Sequence, residues 1–147
     1  MKMSIQTDDK AVIRMMNRVE KGIKSKTQKG LAKASAHGVF AIRRHTESGK
    51  GVVSGNLTAF KPYSPSYRKV REKAGRGVKP DLNWSGRMLG SMVFKIQGDN
   101  AIIWFGRRRE AEKAIWNQKT RPFFDLSTKE RNKARAVFFK EIRKAIR

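Results

Sequence analysis

The sequence predicts an α+β domain in which a long N-terminal helix and a C-terminal helix pack on a small antiparallel β-sheet. Three observations carry this. Apolar residues recur at helical spacing over about residues 8–45. Two short apolar runs, Met92–Ile96 and Ala101–Phe105, flank a Gly-Asp turn and read as antiparallel strands. Ser127-Thr128-Lys129-Glu130 is a capping box that opens a basic amphipathic helix. At 147 residues the chain has the length of one domain, residues 1–147, divided into a helix (1–45), a Gly/Pro/Ser-rich loop (46–83), a hairpin (84–106) and a helical C-terminal part (107–147).

The first helix shows apolar positions at Val12, Met15/Met16, Val19 and Ile23, then at Leu31, Ala34, Gly38 and Ile42. Thr7 or Asp8 suits its N-cap. Gly22, Gly30 and Gly38 recur every eight residues and each weakens a helix by about 1 kcal/mol relative to alanine; they either permit close helix contact or mark a bend, with a break near Gly30 as the second alternative. Lys10, Arg14, Arg18 and Lys21 share one face, read either as a solvated surface or as an anion-binding face. In the following loop Pro62 and Pro65 disfavour continuous helix, and Ser64 or Ser66 can cap one short basic helix that Gly75-Arg76-Gly77 ends.

In the hairpin, Met92, Phe94 and Ile96 fall on one face of the first strand, with Gln97 to Asn100 as the turn. The second strand is apolar on both faces and is expected to be covered on both sides. A short helix over Glu110–Gln118 follows Arg107-Arg108-Arg109. The last helix buries Ala134, Phe138, Ile142 and Ala145, with Val137 and Ile146 widening the stripe.

Charge limits the function. Lys and Arg number 35 against 12 Asp and Glu, a net +23 spread along the whole chain. A folded domain so charged repels itself and suits a polyanionic neighbour, nucleic acid or acidic protein. The absence of cysteine excludes disulfides and thiolate chemistry. His37 and His45 stand eight apart with no carboxylate at metal spacing, so no metal or cofactor is expected. A nuclease would need clustered acids, but Asp81, Asp99, Glu110 and Glu112 are scattered; the chain is read as no enzyme. Met1 to Gln6 lacks the apolar run of a signal peptide and no run spans a bilayer, so cytoplasmic synthesis without a membrane partner is expected. Basic residues interleave with aromatics around Tyr63/Tyr67/Arg68, around Trp104/Phe105 and around Trp116/Lys119/Arg121, a composition that also fits sequence-independent nucleic-acid binding.

Three motifs stand in order in the back of the chain. They are Phe60-Lys61-Pro62-Tyr63-Ser64-Pro65-Ser66-Tyr67, Asp81-Leu82-Asn83-Trp84-Ser85-Gly86-Arg87-Met88-Leu89-Gly90-Ser91-Met92, and Arg121-Pro122-Phe123-Phe124-Asp125-Leu126-Ser127. Together they resemble the tail-completion or virion-morphogenesis proteins of tailed bacteriophages. Two departures are Ile115-Trp116-Asn117-Gln118 in place of a histidine-glutamine-glycine stretch and Trp84-Ser85-Gly86 in place of threonine-glycine. The resemblance implies a structural virion protein at the tail or neck. It would form a homo-oligomeric ring, often sixfold, against connector and tail proteins, with DNA passing through the channel. On this reading Arg107, Arg108, Arg109, Arg14, Arg18 and Lys21 are the polyanion contacts. Ser85, Gly86, Arg87, Trp116, Arg121, Pro122, Phe123 and Phe124 are the assembly contacts; Ser85-Gly86-Arg87 turns the loop into the first strand, Arg121-Pro122 fixes the approach to the last helix, and Phe123 and Phe124 anchor either core or interface.

Overall fold

The structure is a computed structural model that describes residues 9–146, the side chains of 9, 145 and 146 excepted. The roles expected of Thr7, Asp8, Ala145 and Ile146 lie outside what is described. The elements in chain order are α1 (Asp9–Glu47), β1 (Lys50–Val53), β2 (Asn56–Ala59), α2 (Pro65–Lys73), α3 (Arg87–Gly90), β3 (Met92–Gln97), β4 (Asn100–Phe105), α4 (Arg108–Thr120) and α5 (Thr128–Ile146). The α+β expectation holds, with the strands forming two separate two-stranded antiparallel sheets, β1–β2 and β3–β4. Among the described residues no helix is long and apolar enough to cross a membrane.

α1 runs unbroken through Gly30, so the break does not form and the close-contact alternative holds. The glycine serves close approach instead. A Cβ there would lie 2.9 Å from Phe138 Cδ2 and 3.3 Å from the Phe138 carbonyl oxygen, so its absence lets α5 lie against α1. The two helices run antiparallel, since Lys33 pairs with Glu141 and His45 with Glu130.

The β1–β2 hairpin was not expected, because it lies inside the Gly/Ser-rich segment read as loop. Its turn is Ser54-Gly55, both with positive φ (50° and 78°), the backbone of a type I′ turn. The hairpin is held from outside: the Val52 amide donates to the Pro122 carbonyl at 2.8 Å, and the Thr128 amide to the Gly55 carbonyl at 2.8 Å. α2 is capped as expected, the Ser64 hydroxyl accepting from the Tyr67 amide with Pro65 in the first turn.

Ser85-Gly86-Arg87 does not lead straight into a strand. Gly86, at φ 73°, starts the single helical turn α3. Arg43 of α1 anchors that turn, donating from Nε to the Leu89 carbonyl at 2.8 Å and from Nη2 to the Met92 carbonyl at 2.9 Å. β3 and β4 pair from Met92↔Phe105 to Gln97↔Asn100, leaving a two-residue turn at Gly98-Asp99 rather than the four residues expected. α4 begins two residues earlier than expected and takes Arg108 and Arg109 into its first turn.

The core gathers Val39, Ile42, Phe60, Met88, Leu89, Met92, Ala114 and Phe123, with Ile103, Phe105, Phe124 and Leu126 packed around them. Fully burying a Leu or Phe contributes about 1.5–3 kcal/mol each.

Two ion pairs tie α5 to α1. The Ser127–Glu130 capping box forms, the Ser127 amide and hydroxyl each donating to Glu130 Oε2 at 2.8 Å. His45 of α1 lies with Nδ1 3.1 Å from Glu130 Oε1 and Nε2 2.9 Å from the Phe123 carbonyl. Burial alone would raise the Glu130 carboxyl, but the Ser127 amide and hydroxyl and the His45 ring outweigh it and hold it below the usual carboxylate range.

Farther along, Glu141 is covered by two half-exposed lysine chains. Hydrogen bonds from Lys144 (2.7 Å) and Lys33 (2.9 Å) hold its carboxyl down at about 2. A depressed carboxyl stabilises the fold above its unfolded value and loses that contribution as pH falls through its folded value. The melting-temperature difference between the wild type and Glu141→Gln is therefore expected to be full above pH 4.5, the ordinary value, and to shrink towards zero as pH falls to about 2. A difference that stays constant over that window would contradict this.

Candidate functional site

The acids considered for catalysis are engaged or isolated. Asp81 accepts from Arg71 Nη2 at 3.1 Å, Glu110 pairs with Lys113 at 3.0 Å and Glu112 with Arg108 at 3.2 Å. Asp99 lies exposed in the β3–β4 turn. Among the described residues no three His, Asp or Glu side chains come together as a metal site. His37 is half-buried on α1, and His45 serves the helix junction described above.

Among the described residues two large apolar features of the surface stand without cover. The first is the N-terminal part of α1. Every residue from Lys10 to Ser25 is exposed, because α5 ends opposite the middle of α1. Sixteen residues at 1.5 Å each make an arm of about 24 Å. Val12, Met16, Val19 and Ile23 follow one another at four, three and four residues, the spacing of a helix–helix seam. Seven residues on from Ile23 stands Gly30, the point where α5 packs. The arm therefore continues an interface whose inner half is filled. Met15, on the edge of this seam, is 69% exposed. Arg14, Arg18 and Lys21 are exposed on the same arm.

The second feature is the outer face of the β3–β4 hairpin. Val93 pairs with Trp104 and Lys95 with Ile102, so these four share a face, and all are exposed. The expectation that β4 is covered on both sides fails for the single chain, since only its inner face, Ile103 and Phe105, packs on the core. Beside it Phe40, Val93 and Phe94 border an apolar groove of about 360 Å3 between α1 and β3.

A cleft of about 600 Å3 opens between α2, the loop before α3, and α4. Its floor is Arg71, 1% exposed. The Arg71 guanidinium donates to the Gly77 carbonyl at 2.6 Å and to both Asp81 oxygens, and lies 5.0 Å from the Tyr63 ring centroid and 6.0 Å from that of Trp84. Tyr67 meets Tyr63 edge-on at 4.9 Å and Trp84 at 6.2 Å. Arg76 stands 5.5 Å over Trp84 and Arg121 4.9 Å over Tyr63. Burial pushes the Tyr63 hydroxyl up, against the Leu82 amide that donates to it and the Arg71 charge.

The expected contact residues divide. Arg107, Arg108 and Arg109 are exposed at the start of α4, where the helix dipole disfavours cations. Ser85, Gly86 and Arg87 are exposed, with Ser85 and Gly86 on the rim of the cleft. Trp116 is 70% exposed beneath the Lys119 ammonium, 4.6 Å from its centroid. The Arg-Pro-Phe-Phe element is used inside the chain, and of the two roles expected of it Phe123 takes the core. Arg121 donates to the Lys61 and Pro62 carbonyls, and Pro122 accepts from Val52. Phe123 is 0% exposed, and Phe124 packs on Phe105 at 5.1 Å. The Gln118 amide oxygen accepts from the Phe123 and Phe124 amides at 3.0 and 2.9 Å, which fixes the bend.

Arg43 and Arg71 escaped sequence reading, since a buried arginine carries the same letter as a solvated one. Comparison of the chain with protein-family models, with curated proteins and with solved structures finds no match.

Proposed function

We propose that this protein is a structural component of a tailed-bacteriophage virion that completes the tail and joins it to the head at the neck, working as an oligomeric ring without a catalytic step. The observation that carries the assembly part is the α1 arm: a helix of sixteen exposed residues with an apolar seam in line with a filled helix–helix interface. An isolated helix of this length is marginal in water, and burying its seam against a neighbour stabilises both. The outer face of the β3–β4 hairpin supports the same reading, because a bare two-stranded sheet with Val93, Ile102 and Trp104 in water gains from a covering subunit. The order of the Pro-Ser-Pro, Ser-Gly-Arg and Arg-Pro-Phe motifs supports the phage assignment. Arg107, Arg108 and Arg109 are the polyanion contacts of this reading, since a cationic run at the positive end of a helix dipole is relieved by an anion.

Light scattering on the purified protein is expected to give a mass above that of one chain, and the protein is expected to co-sediment with purified tail tubes. The double variant Val19→Glu, Ile23→Glu removes two seam residues at about 1.5–3 kcal/mol each. Association is expected to weaken by at least about a hundredfold. Both sites are solvent-exposed in the single chain, so the thermal transition of the α1–α5 core is expected to persist. A strict monomer that never joins a tail would overturn the proposal.

A further inference from the structure

We propose that the cleft between α2 and α4 binds single-stranded nucleic acid, with a base stacked on Trp84 and Tyr67 and the flanking phosphates met by the cations around the rim. This is independent of the assembly reading, because it uses neither the arm nor the hairpin face.

Four observations converge on it. First, the cleft is built, not incidental. Arg71 is buried, neutralised by Asp81 and locked to the Gly77 carbonyl, so it holds Tyr63 and Trp84 from within without offering its own charge to a ligand. Second, the two outer rings stay in water. Trp84 is 42% and Tyr67 38% exposed, although Tyr63 beside them is buried. Rings that served only the core would follow Tyr63. Third, Trp84 already accepts a planar cation. The Arg76 guanidinium stands 5.5 Å over its ring and joins no ion pair among the described residues. A base can take that place over the ring while the freed guanidinium meets its phosphate. Fourth, the rim is cationic. Arg121 and Lys113 line the cleft and Arg76 stands over Trp84, against one carboxylate in the lining, Glu110, which is buried and paired with Lys113.

Aromatic platforms beside cations are how single strands are held without sequence readout, because every base has a π-face. A duplex keeps its bases stacked inside and cannot use the rings. An acidic peptide would use the rim cations but brings no planar group to each ring.

The test is fluorescence anisotropy on the full chain with labelled dT12 and with an abasic strand of the same length and backbone. Measured near about 0.2 M salt, contacts to phosphate alone are weakened and shared by both strands. Wild type is expected to prefer dT12. Trp84→Ala is expected to reduce dT12 affinity by about tenfold or more, the scale of one stacked base, and to leave the abasic strand unchanged. Tyr67→Ala is expected to do the same to a lesser degree, and covers the case in which Trp84→Ala does not fold. Trp116→Ala, on the exposed face of α4, is expected to change neither. Equal binding of the two strands by wild type would overturn the proposal. So would a dT12 preference that survives both ring substitutions in folded protein, or an oligoglutamate that competes with dT12 through the same Trp84 dependence.

Discussion

Gly51→Ala is expected to remove a large share of the protein's stability. Gly51 lies in β1 directly under the chain between α4 and α5. A Cβ there would collide with the Pro122 carbonyl oxygen and stand 2.6 Å from Phe60 Cε1 and 2.9 Å from the Pro122 carbonyl carbon. Neither obstacle can yield cheaply. One is backbone fixed by the Arg121 and Gln118 hydrogen bonds, and the other is a buried core ring. Moving β1 outward would break the Val52–Pro122 hydrogen bond. Overpacking costs about 1–3 kcal/mol and a buried unpaired backbone group about the same again. A total of about 4 kcal/mol is a large share of the 5–15 kcal/mol typical of a domain. Gly38→Ala is the contrast. Its Cβ would meet Ile103 and Leu126 side chains at 3.5 Å, ordinary contact, and α1 would gain about 1 kcal/mol of helix propensity. Urea unfolding of the two variants checks the pair. A Gly51→Ala protein as stable as Gly38→Ala would refute this account of β1.

Arg71→Met is expected to be the second most damaging substitution, and its sign separates two effects. At +23 the chain repels itself, so removing any one cation by long-range charge alone should stabilise it. The local geometry says the opposite. Arg71 is buried, pairs with Asp81 at 3.1 Å and fills the Gly77 carbonyl. Breaking a buried pair costs about 3–5 kcal/mol, and the one-quarter exposure of the Asp81 side chain lowers this to about 2–4 kcal/mol. Arg68→Met, on the exposed side of the same helix, is expected within about 0.5 kcal/mol of wild type. A cycle with Asp81→Asn would report the coupling. Arg71→Met matching Arg68→Met would mean that the pair contributes nothing.

What could be read from the letters was whatever local pattern decides. The α1 periodicity, the Ser64 cap and the Ser127–Glu130 box all formed, because each depends on residues within a turn of one another. The β3–β4 register was legible from alternation, and only its turn length was misjudged, since Gln97 and Asn100 pair although both are polar. The β1–β2 hairpin was hidden because four-residue strands carry little periodic signal, and its turn has serine rather than asparagine before the glycine. Its partners, Pro122 and Thr128, lie about seventy residues away in the chain. The site was hidden for another reason, since Tyr67, Arg71, Arg76 and Trp84 are close in the chain but lie on a helix and an irregular loop with no shared period. Nothing near Arg71 in sequence says that it is buried, and nothing near Trp84 says that Tyr67 and Arg76 will stand beside it. Phe123 looked as suited to a neighbour as to the core; its burial follows from Gln118 bending the backbone inward.

α1 is one uninterrupted rod of 39 residues, about 58 Å long, with its inner half anchored and its outer half in water. Helix propagates from an existing nucleus far more readily than it starts anew. The anchored turns therefore act as a template, and the free turns fray and re-form in dilute solution as an extension of a folded stem. Far-ultraviolet ellipticity should accordingly deepen as protein concentration rises, and a load on an arm held in an assembly would first meet the Gly30–Phe138 contact and the Lys33–Glu141 pair.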